Sequence, residues 1–256
     1  MGRPPFFQIL LSGDDCQSQG VPRILAELSS EFKSLYPECD YYLLRDFEIV
    51  QFLKSTFDRS VLDSYLKLIP LAFRADLARY CLIYKFGGWY SDITLKPLFR
   101  YKLPEHVDFF YFCDQGDGPS SQGISPMDCQ NGMFYARKGH PVLARSIQSV
   151  VNHCKNEYYG LTSLSPTGPT MFGRHIANYV PNLKASNGVF APLSPTLKNI
   201  NRAYIAPDGT LMALHKSSWH HMSPGGGDFS GMGLKQTNNY NQLWRERRIY
   251  NSSSPH

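Results

Sequence analysis

The sequence predicts an α/β fold with a mostly parallel central sheet flanked by helices. Short apolar runs alternate with longer segments of helical periodicity through the first half of the chain, and 256 residues suffice to bury one sizeable core without disulfides or metals. Residues 6–13, FFQILLSG, are an apolar run closed by a Ser-Gly-Asp-Asp turn and read as a buried first strand. In VPRILAELSSEFKSLYP the apolar residues Ile24, Leu25, Leu28, Phe32 and Leu35 recur at helical spacing before a Pro stop, so a helix follows. CDYYLLRD is the next strand, and EIVQFLKSTF and VLDSYLKLI are helical again. Strand, helix, strand, helix implies parallel pairing, and ligands of such sheets gather at the carboxyl ends of the strands. No internal repeat or linker divides the chain, so residues 1–256 are expected to form a single domain.

Composition narrows the function classes. Hydrophobic residues at 42%, charged at 18% and aromatic at 14% describe a globular protein, neither disordered nor fibrous. The net charge of +5 is scattered until WRERR at residues 244–248. That distribution suits an anionic small molecule or, through the basic tail, peripheral contact with a membrane, and it is too diffuse to indicate nucleic acid. The six cysteines, at 16, 39, 81, 113, 129 and 154, include no C-x-x-C pair. This usage points to a reducing, cytoplasmic setting rather than a disulfide scaffold or structural zinc site. No run reaches membrane-spanning length, and the N-terminus carries no signal peptide or myristoylation pattern. Residues 223–233, SPGGGDFSGMG, read as the most flexible segment, either a lid or a surface loop.

The chemistry concentrates in residues 72–94, AFRADLARYCLIYKFGGWYSDIT. From Leu71 to Lys85 the helix is apolar nearly all round and therefore buried on most faces. Asp76 and Arg79, three residues apart, are neighbours on it. Buried charges are costly unless paired or committed to a ligand, so the pair is either an internal salt bridge or part of a polar site. After Gly88 the residues alternate, which in an extended segment puts Trp89, Ser91, Ile93 and Leu95 on one face and Tyr90, Asp92 and Thr94 on the other. Two oxygen donors at i and i+2 on a strand end converge on one hard cation, and here the second donor is a hydroxyl.

ADLARYCLIYKFGGWYSDIT resembles the sugar-binding region with a D-x-D motif of a family of retaining GT-A glycosyltransferases, among them fungal α1,6-mannosyltransferases, capsular polysaccharide enzymes and, more distantly, clostridial glucosylating toxins. The family pattern is followed from Ala75 to Asp92 and departs at Thr94, where an acid is usual. PPFFQILLSGDD resembles the family's opening strand, QNGMFYARKGHPVL and SPTGPTMF two internal segments, and LHKSSW the closing motif, so the family-like core covers about residues 4–222 with a Gly-rich loop and basic tail at 223–256.

The resemblance implies a GT-A fold and a transferase that moves a hexose from a UDP- or GDP-sugar to a glycan or glycolipid hydroxyl with help from Mn²⁺ or Mg²⁺. It implies that Asp76 bonds ribose or sugar hydroxyls, Arg79 the sugar or diphosphate, and that Tyr90 packs on the nucleoside. Asp92, Thr94 and His215 become the metal ligands, and Ser217 and the Trp219 indole donors to the β-phosphate. Gln8, on the opening strand, joins the substrate-binding set. Gln130 and Asn131 either contact the sugar or cap the turn after Cys129. Thr94 leaves open two alternatives, a nucleotide-sugar or glycan-binding protein without catalysis and a toxin-like protein glycosyltransferase.

Overall fold

The computed structural model describes residues 2–12, 20–115, 128–179, 184–194, 201–220, 227, 229–234 and 238–251. The first strand, β1 (Pro5–Leu10), pairs in parallel with β2 (Asp40–Arg45) on one side and β3 (Gly88–Ser91) on the other. Between β1 and β2 runs α1 (Arg23–Leu35), and between β2 and β3 run α2 (Asp46–Thr56), α3 (Arg59–Lys67) and α4 (Leu71–Phe86). Then come β4 (Lys96–Pro97), β5 (Phe109–Asp114), β6 (Cys129–Ala136), α5 (Pro141–Lys155) and α6 (Pro169–Ala177). β7 (Ala185–Pro192), β8 (Arg202–Ile205), β9 (Leu211–Leu214), α7 (Lys216–Trp219) and α8 (Tyr240–Arg245) complete the order.

Among the described residues nine strands join one sheet in the order β2-β1-β3-β6-β5-β7-β8-β9-β4. Parallel pairing is confined to β2-β1-β3 and to β5-β7, and every other contact is antiparallel. The sheet is thus mixed where a mostly parallel one was expected. The strand-helix alternation that signals parallel pairing runs only through the first half of the chain.

β1 explains why its sequence is apolar throughout. Phe7 and Ile9 face the large core formed with α2 to α6, while Phe6 and Leu10 face the side covered by α1. A strand covered on both faces loses the polar alternation of a half-exposed one. α4 is enclosed in the same way, with Phe73, Leu77, Tyr80, Cys81 and Ile83 buried. It stops at Gly87, whose φ of 71° is left-handed, and Gly88 follows at 98°. A Cβ on Gly88 would lie 2.1 Å from the Pro5 carbonyl, so only glycine lets β3 enter alongside β1.

The basic C-terminal stretch is docked onto the fold. Leu68 and Tyr250 form an antiparallel bridge, and the Trp244 indole donates to the Tyr159 carbonyl at 2.8 Å. Arg247 stacks over the Tyr159 ring and Arg248 pairs with Glu246, so these charges serve internal contacts. Of the Gly-rich stretch, residues 223–226 and 228 lie outside the described residues. Among the described residues no helix is long and apolar enough to cross a membrane.

His140, at the start of α5, is 5% exposed, stacks 4.5 Å from Phe109, and has no partner on either ring nitrogen. Burial lowers its pKa from about 6.5 to about 4, against a weaker pull from Asp108. The unfolded chain therefore takes up this proton first, and stability falls as the pH drops through that window. Replacing His140 with Phe is expected to flatten the pH dependence of unfolding there by up to about 1.4 kcal/mol per pH unit, read from urea titrations at stepped pH.

Candidate active site

Strand direction sends one set of residues to a single end of the sheet. The carboxyl ends of β3, β5, β7 and β9 and the amino ends of the antiparallel β6 and β8 all point the same way. At that end lie Asp92, Asp114, Phe190 and His215 from the first group and Gln130, Asn131 and Arg202 from the second. They line a cavity of about 590 Å³, closed on another side by Ala72, Asp76 and Arg79 of α4.

Asp76 and Arg79 are both a salt bridge and a wall of this cavity. Asp76 Oδ1 accepts from the Asn131 side-chain amide at 2.8 Å and Oδ2 from the Thr167 hydroxyl at 2.6 Å. Arg79 Nη2 lies 3.3 Å from Asp76 Oδ1, and Nη1 lies 3.1 Å from Asp92 Oδ1 while donating to the Asn131 carbonyl at 2.8 Å. The guanidinium also sits 4.5 Å from the Tyr90 ring centre, and the Tyr90 hydroxyl donates to Asp92 Oδ1 at 2.8 Å. Tyr80, next to Arg79, donates to the Thr167 carbonyl and accepts from Asn131. The Thr-Gly-Pro turn before α6 thereby becomes a bracket for the Asp76 carboxylate.

Burial opposes the Arg79 charge, but Asp92, Tyr90 and Asp76 more than offset it and hold the pKa above its already high ordinary value. For Asp76, burial pushes the carboxyl up, against Arg79 and Thr167. The two acids differ in access. The Asp76 side chain is 10% exposed and both its oxygens are engaged, whereas the Asp92 side chain is 35% exposed. Asp92 is the carboxylate of this group that opens on the cavity.

The alternation expected beyond Gly88 holds only to Ser91. The Leu95 amide donates back to the Asp92 carbonyl at 3.1 Å, so residues 92–95 form a turn, and adjacent Ile93 and Thr94 both line the cavity. Thr94 reaches the site through this turn rather than through strand pleating. Three of the expected ligand contacts have partners within the chain, and of the three only Tyr90 is on the cavity lining. Gln8 is fully buried, where it accepts from Ser29 and Tyr41 and its amide approaches the Asp92 carbonyl at 3.4 Å, so it supports the turn from beneath. The Trp219 indole N–H donates to the Thr94 carbonyl at 3.1 Å and braces the same turn. Tyr90 is 1% exposed with Arg79 over its ring and Phe134 beside it, which leaves no face for a base.

His215 and Ser217 both line the cavity and are also bonded to each other. His215 caps α7, its Nδ1 accepting from the Ser217 backbone N–H at 3.3 Å and facing the Ser217 hydroxyl at 2.7 Å. Burial, helped by Lys216 and Arg202, lowers the His215 pKa to about 3, so the ring is neutral. His215 thus presents a neutral imidazole on the cavity lining, the form in which histidine can bind a metal, with its Nδ1 facing the Ser217 hydroxyl. For a hard cation, the open side of Asp92 and the Thr94 hydroxyl are suitable oxygens that a diphosphate can supplement. Among the described residues no three His, Cys, Asp or Glu side chains gather closely enough to hold an ion unaided.

Opposite Asp92 stands a second unit, in which Gln130 is joined by two residues absent from the sequence reading, Asp114 and Arg202. Asp114 pairs with Arg202 and accepts from the Gln130 amide at 2.5 Å, and the Arg202 guanidinium stacks 4.2 Å from the Phe190 ring centre. Burial raises the Asp114 pKa, against Arg202. Gln130 therefore caps no turn but fixes Asp114, and Asn131 fixes Asp76 and Arg79. The parts of this unit come from four segments with no local signature, and only the sheet register brings Asp114 opposite Phe190 and Arg202 opposite Pro192.

Residues 22–105, the segment that holds Asp76, Arg79, Asp92 and Thr94, match the family described as glycosyltransferase sugar-binding region containing DXD motif. Inositol phosphoceramide mannosyltransferase 3 of Schizosaccharomyces pombe is 29% identical over 144 residues, 53% of this chain and 35% of that protein. The matched part is thus about a third of that relative's length. Among solved structures, PaToxG glycosyltransferase aligns with a TM-score of 0.51 at 13% identity over 70% of each chain, a likeness of fold.

Replacing Arg79 with Met strands two carboxylates around one buried void, and the loss in unfolding free energy is expected at about 3–5 kcal/mol. A Cβ on Gly132 would sit 2.7 Å from the Tyr204 hydroxyl and 2.8 Å from Asp92 Oδ2. Gly132→Ala is therefore expected to cost about 1–3 kcal/mol. Because both changes act through Asp92, the double variant should lose less than the sum, as chemical denaturation of all four proteins would reveal.

Proposed function

We propose, from its possession of this glycosyltransferase sugar-binding region, that the chain is a retaining hexosyltransferase acting from a UDP- or GDP-sugar on a glycan or glycolipid hydroxyl, with Mn²⁺ or Mg²⁺ assisting. The observation that carries this reading is the Arg79 guanidinium fixed between Asp76 and an accessible Asp92 at the floor of a cavity of about 590 Å³. The fungal relative, by name a mannosyltransferase of an inositol phosphoceramide, supports a mannose-type donor and a lipid-linked hydroxyl acceptor. In this reading the transferase core spans residues 4–222 within a single domain of 1–256.

Asp92 through Oδ2 and Thr94 through its hydroxyl would hold the ion, which when bound would neutralise charge developing on the leaving diphosphate. Arg79 keeps its charge and its place, so it orients the donor without gaining or losing a proton. The Arg202 guanidinium and the neutral His215 ring, both on the cavity lining, would face the donor's phosphates and the ion they bind. Asp76 and Asp114 have both oxygens engaged, and Asp92 Oδ1 is held by Arg79 and Tyr90. An attacking carboxylate of the glycosidase kind needs a free oxygen beside the anomeric carbon. Front-face substitution fits this site better: the acceptor hydroxyl enters on the side from which the diphosphate departs, and the diphosphate takes its proton.

The test is turnover of UDP- and GDP-hexoses with Mn²⁺ or Mg²⁺, with the product's anomeric configuration read by proton NMR. Retention without a covalent sugar on the protein is expected, and an inverted product or a trapped glycosyl-enzyme would overturn the mechanism. Asp92→Asn should lower turnover about 10²-fold or more. Thr94→Asp should tighten Mn²⁺ binding, and unchanged metal dependence in that variant would mean that residue 94 does not face the ion. Donor binding without turnover in the wild type would instead favour a binding protein.

A further inference from the structure

We propose that Cys113 and Cys129 form a peroxide-sensitive pair that closes to a disulfide across β5 and β6 at the rim of the candidate active site. The two residues are direct partners in the antiparallel register. The Asp114 amide donates to the Asp128 carbonyl at 2.8 Å on the next rung, so the cysteines occupy a non-hydrogen-bonded rung. Opposed Cα atoms on such a rung lie about 4.5 Å apart, within the roughly 4.4–6.8 Å that a disulfide spans.

Side-chain direction agrees with the register. Cys129 belongs to the large core beneath α4 to α6 and Cys113 packs against that core, whereas neighbouring Phe112 faces the other side of the sheet. Both thiols are free. Access is graded: Cys113 is half-buried and receives the Asn187 amide at 3.6 Å, while Cys129 is fully buried behind it. The neighbouring Cys129 also lowers the Cys113 pKa, which favours its thiolate. Cys39 and Cys154 differ on each point, being buried with thiols pushed up to about 12.

The chemistry balances with a hydroperoxide as oxidant. The Cys113 thiolate attacks one peroxide oxygen, the O–O bond breaks, and a sulfenic acid and hydroxide result. The Cys129 sulfur then displaces hydroxide from the sulfenic acid and the S–S bond forms. Two thiols lose two electrons and two protons, and hydrogen peroxide becomes two waters. The link would tie the strands at the residues preceding Asp114 and Gln130, which are themselves hydrogen-bonded on the cavity wall. Oxidation would therefore fix the wall that carries the Asp114–Arg202 unit, whatever reaction the cavity performs.

The full chain is exposed to stoichiometric hydrogen peroxide, its remaining thiols are alkylated, and it is digested without reductant for mass spectrometry. A Cys113–Cys129 cross-linked peptide lighter by two hydrogens is expected, restored to free thiols by dithiothreitol. Cys113→Ser, at the more accessible position, should fold, lose the cross-link and leave Cys129 unoxidised at the same dose. In Cys129→Ala, Cys113 should instead advance to sulfinic acid for want of a resolving thiol. The proposal is overturned if wild-type Cys113 proceeds to sulfinic acid, links to another cysteine, or stays alkylatable beside an unoxidised Cys129.

Discussion

The buried guanidinium of Arg79 is the constraint on which the site depends. A cation at 5% exposure is tolerable only when its charge and its donors are all met. Two carboxylates, two backbone carbonyls and an aromatic face meet them here, and they come from α4 itself, from β3 with the turn after it, and from β6. Each partner is secured in turn, Asp76 by Thr167 and Asn131 and Asp92 by Tyr90. An apolar helix therefore carries charges because they join three other elements at the end of the sheet where the cavity opens.

Much of this was legible because it is local. The helix from Leu71, its glycine stop and the strand after it follow from periodicity and backbone sterics within twenty-odd residues, and Asp76 and Arg79 stood out as charges in an apolar run. Thr94 lines the cavity, though not by the route that strand pleating predicts. Strand pleating predicted that residues 92 and 94 share a face, but the chain turns at Asp92, and both reach the cavity through that turn.

What was not legible depends on long-range contact. Gln8 and Trp219 carry polar groups in a sequence that resembles a ligand-binding family, and a ligand is the natural partner to assign them. The fold supplies other partners, the carbonyls of Asp92 and Thr94, so both residues act on the turn rather than on the substrate. Asp114 and Arg202 were missed for the complementary reason. With Gln130 they lie on three different strands and acquire meaning only when the mixed parallel and antiparallel pairing of β6, β5, β7 and β8 brings them together.

Charge balance links the unusual Thr94 to the rest of the cavity. Among the described residues its lining holds three acids, Asp76, Asp92 and Asp114, and three bases, Arg79, Arg202 and Lys216, with His215 neutral. A second acid at position 94 would leave the lining net negative and dependent on a cation before any anionic ligand could enter. With Thr94 the lining is already neutral, and two of its bases, Arg202 and Lys216, stand apart from the Asp76–Arg79–Asp92 group. An anionic ligand would then meet a lining already in charge balance, with no excess of acids to be offset before it enters.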